Sequence, residues 1–194
     1  QLRQRRAARR EALGRVKLDV ASGLPSGKIV GELTQVTHAF GNKTVVRDFS
    51  ATILRGDKVG LIGPNGAGKT TLLNVLSGFV TPTQGSVSVN GRKLTGLASH
   101  KRALFGLRRT FQTDQIADDL TLWENVEAIA DHAGFIDKDT SDHAVLQAID
   151  YVGLSKRIHR KGSNLSTQER HLAEIAKALI GKPELVMLDE PMAG

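Results

Sequence analysis

The 194 residues, 40% hydrophobic and 24% charged, suit one α/β domain with room for a small insertion, and the absence of Cys excludes disulfides and thiolate metal sites. No apolar run is long enough to cross a bilayer, and no hydrophobic stretch follows the arginine-rich N-terminus, which excludes a spanning helix and a secretory signal there. The net charge of +7 is lopsided: in residues 1–20, Arg3, Arg5, Arg6, Arg9, Arg10, Arg15 and Lys17 against Glu11 and Asp19 give +5, leaving a nearly neutral body at +2.

In chain order, QLRQRRAARREALGRVKLDV predicts an exposed basic helix, halted by Pro25 and Gly27. IVGELTQVTHAF and VVRDFSATIL then alternate apolar and polar residues around GNK, the pattern of an antiparallel hairpin. DKVGLIG reads as a short buried strand running into a glycine loop. Lys69 to Ser77 continues as a helix with Leu72, Leu73, Val75 and Leu76 inward. GSVSVNGRK is a further strand and turn. Thr121 followed by Glu124 forms a capping box that starts a helix, and AVLQAIDYVGL is a second helix closed by Gly153. The chain is therefore mostly helical from about Asp114 to Lys161. An α/β core resumes beyond it with LSTQERHLAEIAKALIG and the buried strand ELVMLDE. The expected division is a basic helix or linker over 1–27, an α/β core over 28–113 and 162–194, and a helical subdomain over 114–161.

GPNGAGKT fits G-x-x-x-x-G-K-[ST] at Gly63, Gly68, Lys69 and Thr70, after an expected strand and before an expected helix. Gly66 and Gly68 allow the backbone N–H groups to turn inward. The helix start adds its positive dipole end, Lys69 a point charge for β/γ-phosphates, and Thr70 a hydroxyl for a magnesium ion. In LVMLDE, Asp189 emerges at the carboxyl end of a strand, placed to hold the same magnesium, with Glu190 next to it to polarise an attacking water.

These segments, with LSTQE at Leu165–Glu169 ahead of a helix, resemble the ATP-binding-cassette (ABC) ATPases from about Ile29 onward. The resemblance implies an α/β P-loop NTPase cassette with an antiparallel β-subdomain and an inserted α-helical subdomain, using ATP and Mg2+. It places Phe40 on the adenine, and Gly63, Asn65, Gly66, Gly68, Lys69, Thr70 and Thr71 on the phosphates. Magnesium falls to Thr70, Gln112 and Asp189, and catalysis to Glu190, Lys69 and Gln112, with Gln112 of RRTFQ also coupling to a partner. Ser166, Thr167, Gln168 and Glu169 occupy the signature segment, which in the family contacts ATP held by the opposite cassette of a head-to-tail dimer.

That segment departs from the family's leucine-serine-glycine-glycine-glutamine. Ser166 and Glu169 still form a capping box for the helix that follows, but Thr167 and Gln168 stand at the glycines and Glu169 at the glutamine, so the expectation is weaker ATP-driven closure than in a standard member. The family also continues past the Glu190 position to a histidine that grips the γ-phosphate. All six histidines here precede Glu190, and residues 1–194 are therefore expected to bind nucleotide with little steady turnover.

Two subfamilies are resembled on either side of the glycine loop. Residues 1–64 are similar to the linker and second cassette of soluble, duplicated ABC-F proteins, which act on ribosomes. From Leu72 onward, LLNVLSGFVTPTQGSVSVNGRK, RRTFQ and LTLWENV are similar to ATPase subunits of branched-chain amino-acid importers. A composite joined inside GPNGAGKTT accounts for both. The resemblance implies an uptake-transporter ATPase at the cytoplasmic membrane face, with a second cassette and permease subunits as partners. The alternatives are a ribosome-associated ATPase whose residues 1–27 meet nucleic acid, and an ATP-binding fragment without activity.

Overall fold

The structure is a computed structural model describing residues 29–131, 135, 137–181 and 183–189. The expected basic helix or linker over 1–27 and the Glu190 position lie outside the described residues.

The alternating segments form the expected hairpin, β1 (Ile29–Phe40) antiparallel to β2 (Lys43–Leu54), closing at Phe40 opposite Lys43. β3 (Gln84–Val89) pairs with the other edge of β1. The two-residue strand β4 (Arg92–Lys93) returns along β3, giving the order β2-β1-β3-β4. Asn90 and Gly91 both take positive φ, 47° and 74°, as a tight two-residue hairpin turn demands. One face of this sheet turns Leu33, Val36, Val46, Val87 and Val89 onto Leu72, Leu73, Val75 and Leu76 of α1 (Lys69–Ser77), completing the first hydrophobic core.

After α2 (Ser99–Leu104), β5 (Leu107–Arg109) lies parallel to β6 (Leu185–Met187), with Arg109 opposite Met187. A parallel pair needs a long crossover. Here the crossover carries α3 (Leu122–Ala130), α4 (Lys138–Tyr151) and α5 (Thr167–Leu179). Leu122, Val126, Val145, Ile149, Ala173, Ala176 and Ile180 build the second core among these helices. Both expected capping boxes are present: Thr121 with Glu124 starts α3, and Ser166 with Glu169 starts α5. Arg170 ties the second core to the chain entering it, donating to Asp114 and Asp118 and to the carbonyls of Ile116 and Gly162. Its bond to Asp114 holds that carboxyl below its ordinary range.

One expectation is overturned. Residues 57–63, read as a buried strand, are neither strand nor buried, with Val59 62% and Ile62 96% exposed. An apolar run supplies only half of a strand; a neighbour must supply the hydrogen-bond ladder, and among the described residues none pairs with this segment. β6, also expected to be buried, shields only Met187 fully, with Leu185 and Val186 half-buried.

The carboxyl end of α1 is closed by a buried cation. Arg102, 1% exposed, donates to the carbonyls of Val75 (2.7 Å), Leu76 (2.8 Å) and Leu97 (3.0 Å). It thereby satisfies orphan helix carbonyls and opposes the negative end of the dipole. Gly78 makes room for it: at φ 83°, a Cβ there would come within 2.6 Å of Arg102 Nε. Arg102→Met keeps the aliphatic bulk but strands these carbonyls, so urea unfolding should show a loss of about 3 kcal/mol. A loss below about 1 kcal/mol would remove the capping role.

Candidate phosphate-binding site

Pro64–Thr70 turns from the exposed segment into α1 through two left-handed glycines, Gly66 at φ 81° and Gly68 at φ 89°. Gly68 is also pressed against the hairpin. A Cβ there would meet the Val45 carbonyl oxygen at 2.9 Å, so glycine is required by space as well as by backbone conformation. This contact seats the loop against β2. The tip of the same hairpin carries Phe40, 56% exposed, with its ring edge-to-face against His38 at 4.7 Å.

Gly68 is the N-cap of α1 and offers no side-chain bond to the helix, and the first turn holds no acidic residue. The leading N–H groups and the positive dipole end are thus left to an external anion. The Lys69 ammonium donates to the carbonyls of Gly63 (2.7 Å) and Pro64 (3.0 Å), holding the loop in its curl with a third proton still free to donate. Asn65 and Gly63 are exposed on the loop, while Thr71 is half-buried within α1.

Residues far apart in the chain meet one helical turn further on. Thr70 Oγ1 lies 3.5 Å from Asp189 Oδ1, so two of the three expected magnesium-binding residues share one place. Asp189 is 5% exposed and its backbone N–H donates to Thr110 Oγ1 at 3.2 Å. One hydroxyl beside one carboxylate suits Mg2+, which takes most of its ligands from water and phosphate. No group of three or more His, Asp or Glu that could hold a metal occurs among the described residues. The donor set thus fits a metal that arrives with phosphate.

Gln112 is exposed just beyond β5, with no hydrogen bond to Thr70 or Asp189 among the described residues. Ser166, Thr167 and Gln168 are exposed at the start of α5. Glu169 is turned back: its carboxylate accepts from the Ser166 N–H (2.9 Å) and from Arg157 Nε (2.7 Å), with Arg160 at 3.9 Å. The Ser166 N–H first, then Arg157, hold its pKa below the ordinary value. The carboxylate is therefore not the bare charge that the substitution of glutamate for glutamine suggests.

Arg109 is the residue that sequence reasoning missed. Its guanidinium donates to Asp189 Oδ2 (2.8 Å), Asn74 Oδ1 (2.5 Å) and Ser77 Oγ (3.1 Å), in an ion pair whose side chains are 6% and 5% exposed. The only sequence signal was its place in RRTFQ; no spacing rule joins it to a carboxylate eighty positions on.

The family profile described as ABC transporter matches residues 46–193. The high-affinity branched-chain amino acid transport ATP-binding protein LivG of Salmonella typhimurium is 35% identical over 170 residues, covering 80% of this chain and 66% of LivG. ATP-binding protein Uup of Haemophilus influenzae is 33% identical over 190 residues, 98% of this chain but 27% of Uup. The crystal structure of the ADP conformation of MJ1267, an ATP-binding cassette of an ABC transporter, superposes with a TM-score of 0.74 at 28% identity, over 86% of this chain and 70% of that one. The chain thus spans just under two thirds of the length of the importer relative it matches.

The two loop glycines should respond differently to alanine. Gly68→Ala adds a clash with the Val45 carbonyl to left-handed strain and should cost about 2–3 kcal/mol in urea unfolding. Gly66→Ala, whose Cβ meets nothing within 4 Å, should cost only about 1 kcal/mol. Equal losses would mean that the contact between loop and hairpin does not constrain the site.

Proposed function

The chain belongs to the ABC transporter family, and we propose that it is the ATP-binding part of an uptake transporter of the branched-chain amino-acid kind. The observation carrying nucleotide binding is the start of α1: uncapped, without acidic neighbours, and flanked by Lys69 and the Thr70–Asp189 pair. The substrate class rests on the likeness to LivG.

In this reading, the N–H groups leading into α1 and the Lys69 ammonium bind the β- and γ-phosphates, and Phe40 offers its exposed ring to the adenine. Thr70 and Asp189 would hold Mg2+, which supplies charge neutralisation on the phosphates when bound. Glu190 polarises the attacking water, and Gln112 joins the site to the helical subdomain, 114–161, that meets a permease. Ser166–Glu169 face the ATP of a second cassette, with Glu169 drawn back by Arg157 so that Ser166 and the start of α5 lead the contact. The assembly would sit at the cytoplasmic face of a membrane; among the described residues no helix is long and apolar enough to cross one.

A second reading is favoured by one observation. The alignment with Uup runs over 98% of the chain, well beyond residues 1–64, which supports an ATPase of the soluble, duplicated kind. Affinity purification of the full chain from its own cells separates the two: permease subunits should accompany it on the first reading, ribosomes on the second.

Lys69→Ala should weaken ATP binding at least about tenfold in an equilibrium titration. Unchanged affinity would reject the phosphate site. At the signature, the combined change Thr167→Gly, Gln168→Gly and Glu169→Gln should tighten ATP-dependent dimerisation measured by sedimentation. Dimerisation no tighter than that of the parent protein would reject the idea that these side chains weaken closure.

A further inference from the structure

Arg109 is a fixed positive charge, not a swinging one. Asn74 Oδ1 and Ser77 Oγ hold its guanidinium from the carboxyl half of α1. The rings of Phe79 and Phe111 lie 5.9 and 5.2 Å from it, and meet each other edge-to-face at 5.5 Å. Held in this way, it binds Oδ2 of Asp189 and leaves Oδ1 facing Thr70. The two oxygens of one buried carboxylate are thus divided between a resident cation and the place expected for the metal.

A carboxylate already paired with a guanidinium at 2.8 Å presents little net charge to a divalent ion. The same guanidinium adds positive potential near the phosphates. We infer that Arg109 is a positioning residue that weakens the grip of Asp189 on the metal and strengthens the grip of the site on metal-free nucleotide. In effect it lets the divalent ion depend on the triphosphate for its retention. This inference rests on the proposed nucleotide site, and it concerns the balance between metal and nucleotide rather than the existence of either.

The test uses the full chain and two equilibrium measurements: ATP affinity in EDTA by titration, and Mn2+ affinity of the protein–ATP complex by electron paramagnetic resonance. Arg109→Gln should move them in opposite directions, with ATP in EDTA binding about tenfold weaker and Mn2+ about tenfold tighter. Arg109→Lys, which keeps a cation, should stay within about threefold of the parent on both. A merely structural role would weaken both affinities together, and that result overturns the inference. Should Arg109→Gln fail to fold, the near-isosteric Asp189→Asn gives an independent reading. With Arg109 then unopposed, ATP in EDTA should bind about tenfold tighter. Unchanged or weaker metal-free binding in Asp189→Asn contradicts the inference. Absence of ATP binding by the parent chain under both conditions would overturn the nucleotide reading and this inference with it. ATP binding with parallel losses in Arg109→Gln would overturn this inference alone.

Discussion

The polarity of a single nine-residue helix organises this molecule. At the carboxyl end of α1, the orphan carbonyls of Val75 and Leu76 are taken by the buried Arg102, while Gly78 ends the helix in a left-handed turn. At the amino end nothing equivalent is provided: Gly68 brings no capping side chain, and the first turn carries no carboxylate. A helix satisfied at one end and open at the other directs its unpaired donors and its positive dipole toward one point. Packing keeps that point fixed, because Leu72, Leu73, Val75 and Leu76 anchor the helix to the antiparallel sheet and Gly68 abuts Val45.

The second organising contact joins parts of the chain that the crossover separates. β5 and β6 lie side by side, and the helical segment between them closes on its own core. Their parallel register sets Arg109 opposite Met187 and brings Asp189 within reach of both Arg109 and Thr70. Buried ion pairs contribute little net stability against well-packed apolar groups, since desolvation consumes most of the Coulombic gain. Their worth lies in fixing geometry. Here one pair, supported by Asn74 and Ser77, connects β5, β6 and α1 at the site itself.

Much of this was legible in the sequence because the signals were local. The hairpin follows from period-two alternation, the two capping boxes from Thr121…Glu124 and Ser166…Glu169, and the phosphate loop from the spacing of its glycines, Lys69 and Thr70. What escaped is non-local. Residues 57–63 carry a strand's composition, yet strand formation depends on a ladder partner elsewhere in the chain, and the segment stays exposed. β5 is three residues long, too short for periodicity to register. Arg109 and Arg102 are arginines in a stretch that reads as surface, and only the fold shows that both are buried against α1. The turn of Glu169 toward the Ser166 N–H follows from its capping box, but its ion pair with Arg157 follows from no motif rule.

On the proposed function, the open end of α1 binds the phosphate chain of a nucleotide, with the base adding to an affinity already established there. Competition against a fluorescent ATP analogue tests this most directly, using tripolyphosphate and adenosine as separate competitors on the full chain. Tripolyphosphate should displace the analogue, and adenosine should do so far more weakly. Displacement by adenosine without displacement by tripolyphosphate would contradict it.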